Sequence, residues 1–238
     1  MSGTIAFNQW SLASFTVFAI VGAFFPALVT FLNFEANKRI GPSLTGALGN
    51  LSPAFAVAFA VIALGETPNA PQVIAIAAVC IGVALLFLKP DATASHITAW
   101  MLALPLAAAL IRGLVQPAIK YALIGWPSPF AAVTTGYLVS ACVMAIYARI
   151  SGLNRKDFNT SGVVWFMAIA VANGAAVFLL YAALARGPVT IVTPIVACYP
   201  VIVLMMNAVL REDRNVTART ITGVSITVAG IAMLLFYQ

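Results

Sequence analysis

The chain has 238 residues, 63% hydrophobic and 8% charged, with a formal net charge of +6 and a mean hydropathy of +1.04. A soluble domain carries about 25% charged residues. Twelve basic, six acidic and one histidine side chain, nineteen in all, cannot cover a water-facing surface, so a soluble fold is excluded and the lipid bilayer is the solvent.

A spanning helix needs about 20 apolar residues. Taken in order, the apolar runs predict spans over 12–34, 42–63, 71–88, 98–120, 129–149, 162–184, 189–210 and 219–237. The loops between them are too short to be domains. Strict alternation is rare in these runs, which argues for helices over a transmembrane barrel. The expected fold is an all-α polytopic bundle of about eight transmembrane helices. Residues 1–37 hold no Lys or Arg, so a cleaved signal peptide with a basic start does not fit, and the first span is expected to stay. Cys80, Cys142 and Cys198 lie inside apolar spans without CxxC spacing and read as three buried thiols acting as small hydrophobes.

Basic residues orient membrane proteins and need not imply nucleic acid. Odd-numbered loops hold Lys38, Arg39, Lys89, Arg149, Arg155, Lys156, Arg211, Arg214 and Arg219, and even-numbered loops only Lys120 and Arg186. The charge rule places the odd loops in the cytoplasm and both termini outside.

The chain also repeats itself. Gly41-Pro42, an apolar run broken by Pro53, Gly65-Glu66 and Gly82-Val83 are matched by Gly187-Pro188, a run broken by Pro200, Arg211-Glu212 and Gly230-Ile231. From Pro42 to Glu66, and from Pro188 to Glu212, the spacing is 24, and the copies lie 146 residues apart. That is far beyond a solenoid period of roughly 20–50. By loop parity the two Gly-Pro turns fall on opposite sides, so the copies are inverted, as alternating access exploits.

These elements resemble the EamA-type repeat of the drug/metabolite transporter superfamily. The resemblance rests on Arg39-Ile40-Gly41-Pro42, Pro53, Gly65-Glu66 and Ile81-Gly82-Val83, then on Arg186-Gly187-Pro188, Pro200, Glu212-Asp213 and Ala229-Gly230-Ile231. It implies a partial first repeat of three helices over 1–90, lacking its two opening helices, and a five-helix repeat over 97–238. It further implies a multi-pass secondary transporter of small organic metabolites in the inner (cytoplasmic) membrane, most simply one for efflux of amino acids or related compounds. The same resemblance implies cytoplasmic termini, against the loop charges. The rival reading is a truncated, non-transporting membrane protein, or a subunit whose exposed flank a partner or a second copy (a homodimer) would fill.

Arg112, Gln116 and Lys120 recur every four residues and share a helix face. A charge near mid-span costs about 2.5–3.5 kcal/mol on insertion scales, so Arg112 calls for a cavity, a partner or an anionic or zwitterionic ligand. Otherwise it snorkels, or bonds carbonyls freed by Pro117. Pro53 and Pro200 each remove a mid-span donor and free the carbonyls of Gly49 and Val196. Beside these breaks stand Asn50 and Ser52, and Thr190, Thr193, Cys198 and Tyr199. Broken helices near the midplane are where transporters place substrate, though kinks satisfied by neighbours look the same in sequence. Asn33, Asn37, Tyr137, Asn173, Tyr181 and Asn207 are further polar groups in spans, of which Asn173 and Tyr181 are the better candidates. The stripe Ala168, Ala172 and Ala176 opposite them reads as close helix packing.

The substrate-binding set is therefore Arg112, Gln116, Asn50, Ser52, Pro53, Asn173, Tyr181, Thr193, Tyr199 and Pro200. Glu66 and Glu212 read as solvated turn caps, and Glu35 beside Lys38 and Arg39 as an interfacial ion pair. His96, the single histidine, stands in a loop beside Asp91 and Ser95, and no GxxxxGK loop is present. Catalysis, a metal and a cofactor are not expected.

Overall fold

The computed structural model describes residues 10–87, 98–152, 160–202, 206 and 218–237. Lys89, Asp91, Ser95, His96, Arg155, Lys156, Asn207, Arg211, Glu212, Asp213 and Arg214 lie outside the described residues.

Every regular element there is a helix: α1 (Leu12–Phe24), α2 (Ala27–Gly49), α3 (Ser52–Leu64), α4 (Ala70–Phe87), α5 (Ala99–Gly125), α6 (Pro129–Ile150), α7 (Thr160–Arg186), α8 (Val189–Val196) and α9 (Ala218–Phe236). Five segments are long and apolar enough to cross a membrane: Leu12–Pro42, Leu44–Leu64, Ala99–Gly125, Pro129–Ile150 and Gly162–Arg186. Three shorter apolar helices, Ala70–Leu85, Val189–Ile202 and Thr220–Phe236, occupy the remaining predicted spans.

The predicted span 12–34 is not one straight helix. α1 stops at Phe24 and α2 starts at Ala27, because Pro26 has no N–H to continue the ladder. The Ala27 N–H instead donates to Ser140 Oγ at 3.1 Å. α2 bends at Gly41, whose φ of 78° and ψ of 160° suit only glycine, so the Gly41-Pro42 turn falls where the repeat places it. Local chemistry sets the other ends. Ser11 caps α1 by accepting from Ser14 N, and Ser128 caps α6 by accepting from Ala131 N, with Pro129 in the first turn. Asn69 and Gln72 form a reciprocal box before α4, each side-chain oxygen accepting from the other's backbone N–H at 2.9 Å. α3 ends on left-handed Gly65, φ 67°.

The chain forms two compact units, each discontinuous in sequence. One comprises Met1–Leu28 and Ala118–Gly187, the other Val29–Pro117 and Pro188–Gln238.

In the first unit α1 packs on α6, and α6 on α7. A Cβ on Gly22 would stand 2.6 Å from Gly136 O, so glycine lets α1 and α6 approach closely. Phe18, fully buried, stacks toward Trp126 with ring centroids 5.9 Å apart. Two expectations fail here. Ala168, Ala172 and Ala176 are exposed, because among the described residues α7 buries Val177, Tyr181 and Leu184 near its C-terminal end. Cys142 is exposed too, because α6 buries the stripe Ala132, Gly136 and Ser140 and Cys142 lies off it.

In the second unit α4 pairs with α9, and α3 with α8. Its core joins Ala75, Ile76, Val79 and Val83 of α4 to Cys198 and Leu234. Gln72 at the start of α4 donates from Nε2 to the Tyr237 carbonyl after α9, at 3.0 Å. A Cβ on Gly82 would meet Thr227 N at 2.7 Å, and one on Gly230 would meet Ala75 O at 3.0 Å. The two helices therefore run antiparallel, and the glycine that each repeat carries in this helix lies in their contact. Glu35 pairs with Arg39 and, at 3.9 Å, with Lys38, as expected, and the Arg39 guanidinium lies 4.5 Å over the Trp100 ring.

Candidate functional site

Both proline breaks form, and in the same way. Ahead of Pro53, Asn50 N donates to Gly46 O at 3.0 Å and Leu51 N to Leu48 O at 3.1 Å. Ahead of Pro200, Ala197 N donates to Thr193 O at 3.0 Å and Cys198 N to Ile195 O at 3.2 Å. Each helix closes with one bond four residues back, tightens to one three residues back, then restarts at Ser52 or Tyr199. Proline explains both, since it cannot supply the next donor. The Asn50 side chain bonds Gly46 O from Nδ2 at 2.8 Å, and the Cys198 thiol donates to Pro194 O at 3.1 Å.

Both breaks belong to the second unit, as do Arg112 and Gln116. Gly113 brings α5 close to the first break. A Cβ there would stand 2.5 Å from Phe55 Cβ and 3.1 Å from Ser52 O. From α8, buried Thr193 donates its hydroxyl to Gln116 Oε1. Among the described residues the Gln116 amide nitrogen meets no protein acceptor. One turn earlier on α5 stands half-buried Arg112. Among the described residues the ion pairs are those of Glu35 with Lys38 and Arg39, and no carboxylate there pairs with Arg112.

The second unit thus brings together eight of the ten sequence-predicted residues: Asn50, Ser52, Pro53, Arg112, Gln116, Thr193, Tyr199 and Pro200. Asn50, Ser52, Gln116 and Thr193 are buried, while Tyr199 is 51% exposed. Asn173 and Tyr181 belong to the first unit. There Asn173 donates from Nδ2 to Tyr137 Oη at 2.9 Å on an exposed face, and Tyr181 is buried.

Lys120 leaves the basic stripe. Its ammonium donates to the carbonyls of Leu184 at 2.7 Å and Gly187 at 3.0 Å, capping the C-terminal end of α7, where the helix dipole favours a cation.

Glu66 is not a solvated turn cap. Half-buried, it accepts from Val189 N through Oε1 and from Thr190 N through Oε2, both at 2.8 Å. It caps a helix of the other repeat. Sequence reading missed this role, and that of Gly113. The Gly113 signal was its place between Arg112 and Gln116, and the Glu66 signal was the fixed 24-residue step from Pro42.

The sequence pattern of the EamA-like transporter family matches residues 2–88 and 99–236. No curated protein sequence matches the chain. A protein of known crystal structure, 18% identical, superposes with a TM-score of 0.73 over 93% of this chain and 79% of its own length, a likeness of fold.

Proposed function

The chain belongs to the EamA-like transporter family, and from that premise we propose that it is a secondary transporter exporting amino acids or related small metabolites across the cytoplasmic membrane by alternating access. It is a multi-pass membrane protein of the drug/metabolite transporter type. The observation that carries the finer reading is Arg112: a mid-helix guanidinium with no carboxylate paired to it among the described residues, one turn from the Gln116 amide that Thr193 bonds. A half-buried cation within a span calls for a partner, and a substrate carboxylate fits the donors present. The repeated breaks supply backbone that can change conformation beside it.

The test is uptake into proteoliposomes of labelled amino acids and organic acids, for the native chain and Arg112→Ala. Saturable uptake of a carboxylate-bearing solute, lost in a variant that still inserts, supports the proposal. Equal uptake by both removes Arg112 from the site.

One observation favours a second reading, a chain that works only with a partner. Trp165 (70% exposed), Phe166 (67%), Met167 (65%) and Val171 (74%) leave the first half of α7 uncovered on every side. Lipid covers such a face in a bilayer, and a second copy of the chain is the protein cover this reading requires. Mass measurement in nanodiscs tests it: one copy per disc in a transporting preparation would remove this reading.

A further inference from the structure

We infer that Glu66 is a positioning residue for the Arg112–Gln116 site, holding α8 from the opposite repeat so that Thr193 meets Gln116. α8 has eight residues, Val189–Val196, with Pro194 among them, and isolated helices shorter than about 12–15 residues are marginal. Its own N-cap, Pro188, offers no side-chain bond. The Glu66 carboxylate fills that role for the first two amides, Val189 and Thr190, at the helix end whose dipole favours a negative charge. Thr193 is the next turn along, where its hydroxyl reaches Gln116 Oε1. Just beyond, the helix breaks at Ala197–Cys198. α8 is thus anchored by a carboxylate at its start, interrupted by the two-residue break at its end, and carries a site contact between.

Among the described residues α3, α4 and α8 carry no charged side chain. Asn69 and Gln72 are engaged with each other and with the Tyr237 carbonyl. The carboxylate comes from the first repeat and the helix from the second, so the bond ties movement of one repeat's turn to the placement of the other repeat's site residue. This role rests on reading Arg112 and Gln116 as the substrate-recognising pair.

Amide hydrogen exchange on the full chain in nanodiscs, without substrate, tests the inference separately from transport. In Glu66→Ala, amides across 189–197 should exchange about tenfold faster, the effect of losing a cap, while α4 and α9 keep their protection. Adding Pro188→Asp gives α8 a cap of its own and should restore the slow rates. Glu66→Gln, which keeps one acceptor oxygen, should fall between and serves if the alanine variant does not insert. Acceleration confined to residues 189 and 190, loss of protection throughout the helices, or failure of Pro188→Asp to rescue would overturn the role. Failure here leaves the transporter reading standing, and a silent uptake assay leaves the α8 anchor standing.

Discussion

Gly82 of α4 lies so close to Thr227 of α9 that a Cβ on it would stand 2.7 Å from the Thr227 backbone nitrogen and 2.8 Å from Gly223 O. Gly230 makes the reciprocal approach to Ala75 and Val79. Equivalent helices from inverted copies meet antiparallel around their equivalent glycines. Overpacking costs about 1–3 kcal/mol, and backbone cannot yield as a flexible side chain can. Gly82→Ala and Gly230→Ala should each lower the thermal midpoint in detergent by several degrees, while Gly174→Ala, which meets nothing within 4 Å, should not.

Arg112 and Lys120 share a face of α5 but not a role. Hydrogen bonds to charged groups are worth about 1.5–3 kcal/mol, so Arg112→Ala should reduce kcat/KM for a carboxylate substrate roughly 10- to 100-fold with little loss of stability. Lys120→Met removes two bonds to α7 carbonyls and should do the opposite. It should lower thermal stability and leave KM nearly unchanged. Uptake and thermal scans on both variants check the pair.

Thr193→Val keeps shape and removes the donor to Gln116 Oε1. A buried acceptor left without its partner costs about 1–3 kcal/mol. The expected result is a destabilised chain with weakened substrate affinity, and Gln116→Leu in the same background should recover stability without recovering transport.

Cysteine exposure gives a direct check of packing. A membrane-permeant maleimide should modify exposed Cys142 well before buried Cys198, read by mass spectrometry of the intact chain. Equal rates would contradict the packing of the α8 break.

How much of this was legible depends on the distance between cause and effect. The breaks at Pro53 and Pro200 were visible because proline acts on its own helix, and the Gly41 turn because positive φ demands glycine. The ion pair of Glu35 with Arg39 lies within one turn. Glu66 was misread as solvated because its partner amides are 123 and 124 residues away, and no local spacing announces them. The stripe Ala168, Ala172 and Ala176 was misread for the converse reason. Small residues permit close packing, but only a neighbouring helix makes use of it.

Composition alone determined that this protein lives in a bilayer, since so few charges cannot solvate a surface. Periodic glycine and proline determined where its helices turn, break and repeat, because those residues act through their own backbone. Tertiary structure decided the rest. Helices from both repeats assemble in one unit, so Gln116 meets Thr193 and Glu66 caps α8. Such pairings depend on which distant segments pack together, a choice made by burial and close contact over the whole chain.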